Sequence, residues 1–322
     1  DGHPDNQVLA ALFCLGGLAG FTLLSLSLPA LASLDQWLLT QMQALHHPGI
    51  DLLFAVFNEA GSSRFLLTFG GLFGIWLLLR QQSRALLYLV LVLALCLTVP
   101  NGLKQLFAIP RPELAAAVLD SYAYPSGHTY WGMVVWGFTY LLIGRALGDN
   151  ARLWLLGVTL TLVVFVATAR VFLGWHWGSD VAASLCLGLA TLGALRWAWY
   201  RYDGLTGMPT WEPALAAGIA LLISAFLWLH PLHELTTLNL QRFGQRLERR
   251  QLGFSHCAAL VTHLAERCRD TASGARLIDQ LIDQHLQPQV VDRVLDAMAS
   301  GEALSHVHAT LDGQGALVCE FA

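Results

Sequence analysis

Long apolar runs separated by short polar breaks set the plan of this 322-residue chain. About 20 apolar residues in a helix, at roughly 1.5 Å each, cross the hydrocarbon core of a bilayer. By that measure residues 8–33, 64–79, 85–103, 128–147, 152–173 and 181–200 read as six membrane-spanning helices, and 213–230 as a seventh. The second run is short and is expected to begin inside the turn Asn58–Ser63. From Asp35 to Gly61 the pattern is mixed, and His46-His47-Pro48-Gly49 breaks a short amphipathic stretch. Beside that Pro-Gly punctuation, both histidines are expected in a solvated turn at the membrane surface.

After His230-Pro231 the pattern changes. Stretches 254–268, 272–286 and 288–299 carry helical periodicity. Residues 306–311 and 316–321 alternate as two short strands around Asp312-Gly313-Gln314-Gly315, a hairpin signal. The expected fold class is all-α: a polytopic membrane helical bundle over 1–205, an additional membrane helix over 206–231, and a small, mostly helical soluble domain over 232–322. His256, Cys257, His263 and Cys268 invite a metal reading. On one helix, however, Cys257 and Cys268 would sit about 16 Å apart, too far to share a metal or a disulfide.

Composition agrees with the membrane reading: 55% of residues are hydrophobic, only 12% are charged, and the mean hydropathy is +0.54. A formal charge of −4 excludes a broadly basic nucleic-acid binder. Six cysteines are too few for a disulfide scaffold in a chain this long, and Cys14, Cys96 and Cys186 fall within apolar runs as small hydrophobes. Asp1 in place of Met points to processing or trimming. The first run lacks a basic leader and is long, so it reads as a retained span.

Three polar stretches interrupt the apolar pattern: Lys104-Gln-Leu-Phe-Ala-Ile-Pro-Arg111-Pro112, then Pro125-Ser126-Gly127-His128, then Arg170-Val-Phe-Leu-Gly-Trp-His176-Trp-Gly-Ser-Asp180. They lie between spans three and four or spans five and six, so the spacing gathers them at one face of the bilayer. Their chemistry suits a phosphate ester. Lys104, Arg111 and Arg170 are preorganised cations for the oxygens on which charge concentrates during phosphoryl transfer. Ser126 and Gly127 read as a helix start whose free N–H groups bind an anion. Asp180 lies four residues after His176, on the same face of a helical turn, and can fix its tautomer. His128 is then free to act as a general acid. Trp131, Trp136, Trp175 and Trp177 read as interfacial or packing groups.

Taken together, these stretches resemble the signature motifs of the type 2 phosphatidic acid phosphatase (PAP2) superfamily of membrane lipid phosphatases. The pattern K-x6-RP, PSGH and R-x5-H-x3-D fits at every position but Ala169, where many members carry Ser. The resemblance covers roughly residues 50 to 200. It implies a core of six membrane helices and a phosphohistidine formed on His176. Asp180 would orient it, with His128 as the acid and Lys104, Arg111, Ser126, Gly127 and Arg170 as the phosphate site. It implies no metal and no other cofactor. Residues 232–322 fall outside it and read as a docking appendage for a protein partner.

Loop charges give the sidedness, since Lys and Arg are retained on the cytoplasmic side. Arg80, Arg84, Arg145, Arg152, Arg196 and Arg201 lie opposite the motif face, which carries Asp35, Asp51, Glu59, Glu113 and Asp120 with Arg64. The site is therefore expected outside the cytoplasm, facing the periplasm of a bacterial inner membrane. An odd number of spans would carry the tail there too, although Arg242, Arg246, Arg249 and Arg250 argue the other way. The expected substrate is a membrane lipid phosphate of the phosphatidic acid, phosphatidylglycerophosphate or undecaprenyl pyrophosphate class, the last favoured by an outward site. A lipid-to-lipid phosphotransferase shares the first half-reaction. A non-catalytic scaffold or transporter would instead place ionisable groups at mid-span.

Overall fold

In a computed structural model of the chain, residues 4–112, 115, 121–200, 205, 209–228, 232–267, 278, 281–313 and 315–322 are described. Glu113, Asp120, Arg201, His230, Pro231, Cys268, Gln314 and most of the helix expected over 272–286 lie outside them. The chain forms two compact units, Asp1–Leu229 and His230–Ala322.

Among the described residues the first unit forms helices: α1 Pro4–Ala44, α2 Pro48–Glu59, α3 Ser63–Leu79, α4 Ser83–Phe107, α5 Gly127–Gly144, α6 Asp149–Phe172, α7 Gly178–Tyr200 and α8 Glu212–Trp228. Four of these, α1, α4, α6 and α7, are long and apolar enough to cross a membrane, and the pair α2–α3, bent by 48°, makes a fifth. Helix α5 is the hub. Thirteen of its 18 residues are buried, so it meets protein rather than lipid and tolerates His, Thr and Tyr that a lipid-facing helix would not. Phe65, Phe69 and Phe73 of α3, Trp136 and Phe138 of α5 and Trp199 of α7 fill the core, with Phe69 and Trp136 rings 4.8 Å apart.

Helix α1 differs from expectation. It does not stop at 33 but runs 41 residues, about 60 Å, twice the hydrocarbon thickness. Pro29 removes one helical donor, to the Ser25 carbonyl, without ending the helix. Small residues hold α1 tightly on α7. A Cβ on Gly17 would lie 2.5 Å from Ala190 N, and one on Gly193 2.4 Å from Cys14 N. Close backbone approach of this kind is what binds helices where lipid competes for every apolar contact.

His46 is also not a solvated turn residue. It is partly buried, 2.7 Å from Asp51 and 3.0 Å from Gln43, with its ring 4.4 Å from Phe172. His47 is exposed and its ring accepts a hydrogen bond from Gly49 N at the start of α2.

Helix α8 has 17 residues and packs along α3 from end to end. Glu212 at its start pairs with Arg80 at 2.7 Å; Trp228 at its finish donates to Thr68 at 2.8 Å and lies under Arg64. Helix α8 is thus antiparallel to α3, its Glu212 end beside Arg80 and its Trp228 end beside Thr68 and Arg64.

The second unit contains α9 Leu232–Glu248, β1 Gly253–His256, α10 Ala258–Arg267, a wide helical turn Ile282–Leu286 leading into α11 Gln287–Ser300, β2 His306–Leu311 and β3 Leu317–Phe321. The expected hairpin is present, with Asp312 accepting from Ala316 N. The helix expected from 254 is corrected: 253–256 is a strand, parallel to β2, and Cys257 precedes α10 rather than lying in it. Four residues carry no usable periodicity, and their ladder partner lies some 50 positions on.

The traverse of α8 is testable with single cysteines in a cysteine-free background and an impermeant maleimide. Asp292→Cys should label like Ala44→Cys, at the motif-face end of α1, and unlike Asn150→Cys. Grouping of Asp292→Cys with Asn150→Cys would show that α8 does not cross.

Candidate active site

The site is assembled where helices end, because there backbone groups lack helical partners and polar side chains are tolerated. Helix α6 delivers Arg170 in its last turn. Gly174, at φ +72°, then turns the chain in the left-handed conformation that favours glycine, so Trp175 N and His176 N both donate to the Arg170 carbonyl, at 3.1 and 3.2 Å. The same turn lays Trp175 against the Arg170 guanidinium, 4.8 Å from ring centroid to Cζ. Trp177 Nε1 donates to the Pro110 carbonyl at 2.9 Å and ties this turn to the segment carrying Arg111.

His176 is 1% exposed and Asp180 fully buried. Their side chains meet at 3.1 Å through His176 Nδ1, and the same carboxylate oxygen accepts Trp177 N at 2.9 Å. Arg111 Nη1 lies 3.2 Å from His176 Nε2. An arginine only donates, so Nε2 is the lone-pair nitrogen and the proton sits on Nδ1, towards Asp180. Burial, then the fields of Arg170, Arg111 and Lys104, push the His176 pKa well below its ordinary value. The ring is neutral at neutral pH.

The remaining motif residues converge on this pair. Arg111 also donates to Trp175 O, Ser121 O and Ser121 Oγ, and Lys104 Nζ donates to Tyr122 O. Burial lowers Arg111 too, but from a value so high that it stays charged. Ser126 occupies the N-cap of α5, yet its side chain caps nothing. Its hydroxyl accepts from Thr129 at 3.0 Å, and its backbone N–H donates to the Asp180 carbonyl at 3.3 Å. A Cβ on Gly127 would meet nothing within 4 Å, so the start of α5 faces open space. His128 follows and lies in the field of the same three cations. All eight residues singled out in the sequence, Lys104, Arg111, Ser126, Gly127, His128, Arg170, His176 and Asp180, therefore share one region.

Residues 85–203 match the model of the PAP2 superfamily. This region is a PAP2-superfamily domain. A solved structure of similar fold is the first transmembrane PAP2 type phosphatidylglycerolphosphate phosphatase from Bacillus subtilis, at TM-score 0.53 and 22% identity over 57% of this chain and 94% of that one. With its apolar helices and the PAP2 domain, the chain is an integral membrane protein. Residues 229–308 match a different model, the C-terminal, D2-small domain of ClpB protein, a likeness the sequence reading did not find. Comparison with curated proteins returned no match.

Sequence reasoning missed the groups that hold the PAP2 site from outside its motifs. Asn58, at the end of α2, accepts from Arg170 Nη1. Asp35 of α1, 8% exposed, accepts Ser179 N at 2.8 Å and the Ser179 hydroxyl, capping α7 across 144 residues. Each belongs to a polar pair, Asp35-Gln36 and Asn58-Glu59, set in an apolar stretch, which is the signal that could have flagged them. Removing the cap in Asp35→Ala should cost about 0.5–2 kcal/mol, read as a lower melting temperature in detergent. Ser179→Ala, which keeps the backbone bond, should fall less. Equal melting of Asp35→Ala and wild type would show that the cap contributes nothing.

Proposed function

We propose that the protein is a membrane lipid phosphatase that removes a terminal phosphate through a phosphohistidine intermediate. The observation that carries this reading is His176: Nδ1 is held by Asp180 while Nε2 keeps a lone pair beside Arg111. A neutral imidazole in that state is a nucleophile that needs no prior deprotonation.

Arg111, Arg170 and Lys104 hold the phosphoryl oxygens, with the N–H groups at the start of α5 facing the open space at Gly127. His176 Nε2 attacks phosphorus as the bond to the lipid oxygen breaks. His128, which takes up a proton once the bound phosphate dianion offsets the field of the three cations, gives it to that oxygen, which leaves as the lipid alcohol, or as a lipid monophosphate if the substrate is a pyrophosphate. Positive charge arising on the ring is stabilised by Asp180. Water then attacks phosphorus, His128 takes its proton, the N–P bond breaks, and inorganic phosphate leaves. The three cations supply the charge neutralisation, so the chemistry runs without a metal.

The substrate is read as a phosphatidic acid, phosphatidylglycerophosphate or undecaprenyl pyrophosphate class lipid. Arg80, Arg145 and Arg152 at the opposite ends of the helices favour a bacterial inner membrane with the site facing the periplasm.

The decisive test is phosphate release from these lipids by the purified protein in detergent, with and without acceptor lipids. Hydrolysis is expected, and transfer to an added lipid in its place would make the protein a phosphotransferase. His176→Ala should abolish turnover and any acid-labile phosphoenzyme; near wild-type turnover would sink the mechanism. EDTA should leave activity intact and orthovanadate should inhibit, whereas loss on chelation reversed by a divalent ion would point to other chemistry. Because His176 is depressed, its neutral form persists as pH falls through about 6.5. The acid limb of kcat/KM, corrected for substrate ionisation, should therefore lie below that value. A limb at or above it would contradict the assignment.

A further inference from the structure

Asn58 is fully buried at the break between α2 and α3, and its Oδ1 accepts a hydrogen bond from Arg170 Nη1. The break is built to put it there. Trp136 Nε1 of α5 donates to Ala60 O at 3.2 Å. Gly61 sits so close to α5 and α6 that a Cβ would lie 2.4 Å from Val166 Cγ1 and 3.2 Å from His128 O. Glu59, next in sequence, pairs with Arg64 at 3.4 Å, while its buried carboxyl also lies in the field of Arg170.

Asn58 Nδ2, by contrast, is buried with no hydrogen-bond partner among the described residues. A buried unpaired donor is costly, and an aspartate of the same shape would avoid that cost while gaining an ion pair with Arg170. The choice of amide over carboxylate has a physical reason in what Arg170 must do. A carboxylate at this point would neutralise the guanidinium and compete with phosphate for it. With the Glu59 carboxyl already in the field of Arg170, an amide oxygen fixes the guanidinium without adding a second carboxylate to compete with an incoming anion.

We infer that Asn58 is a positioning residue of the phosphate site, a neutral acceptor that aims Arg170 at the phosphoryl group without quenching its charge. The inference rests on the phosphatase reading for its substrate and on the Asn58–Arg170 contact for its geometry.

Orthovanadate affinity, read from the thermal shift it produces in the purified full chain, tests this without turnover. Asn58→Asp should melt at or above the wild-type temperature yet bind vanadate roughly 10- to 100-fold more weakly. Its KM for phosphatidic acid should rise in step, with kcat falling less. A purely structural role predicts Asn58→Asp within about twofold of wild type in vanadate affinity, and that result overturns the inference. If Asn58→Asp does not fold, the isosteric pair Asn58→Thr and Asn58→Val decides. Thr keeps a neutral acceptor and should retain vanadate binding within several-fold, whereas Val should lose it; equal affinities would refute the role. A wild type that binds vanadate but releases no phosphate would refute the hydrolase reading and still test Asn58. One that does neither would overturn both.

Discussion

The site depends on the buried carboxylate of Asp180. Its side chain fixes His176 and receives the Trp177 N–H, while its backbone carbonyl receives the Ser126 N–H that starts α5. One residue thus joins the second and third polar stretches, and Trp177 joins them to the first through Pro110. A carboxylate with no exposed surface inside an apolar bundle is tolerated only with such partners. Lys104 and Arg111 supply the opposing charge. Loss of the carboxylate would leave a ring without orientation and a cluster of cations without counterweight.

The bundle accommodates this polarity by geometry. Charged and titratable groups of the site sit at helix ends or in the turns between helices, where unsatisfied N–H and C=O groups already need partners. The middle of the bundle stays apolar, filled by the Phe and Trp rings of α3, α5 and α7. Helix α5 is the exception that shows the rule: enclosed on nearly every side, it can begin with Gly-His-Thr-Tyr without meeting lipid. The two units of the chain follow different rules. The second relies on strand pairing and a small core around Phe243, Leu260, Leu286 and Val307.

The sequence could bring His176, Asp180 and Ser126 together because their contacts are local. His176 and Asp180 are four residues apart, and Ser126 opens its helix beside Pro125. The apolar runs revealed most of the bundle for the same reason. What escaped were contacts across the fold. Asn58 reaches Arg170 over 112 residues and Asp35 reaches Ser179 over 144, so neither has a neighbour in sequence that hints at its partner. The apolar run suggested a helix end at 33 that packing against α7 overrides. His46 stood next to turn punctuation, but Asp51, Gln43 and Phe172 fold over it. Strand β1 exists only because β2 lies beside it.

Helix α1 packs along α7, and two of its contacts there are the tight crossing at Gly17 and the cap from Asp35. These residues are eighteen positions apart, and at 3.6 residues per turn that is five complete revolutions. Both therefore point the same way, and α1 works as a ruler whose phase sets the start of α7. Adding or deleting one residue between them would rotate Asp35 by about 100° relative to Gly17. The two contacts could then not be made together. Between them Gly20 lies against Cys186 and Ser25 bonds Tyr124, the residue before Pro125, so only the lipid-facing side chains of this stretch are free to drift, while its length is fixed by the contacts at both ends.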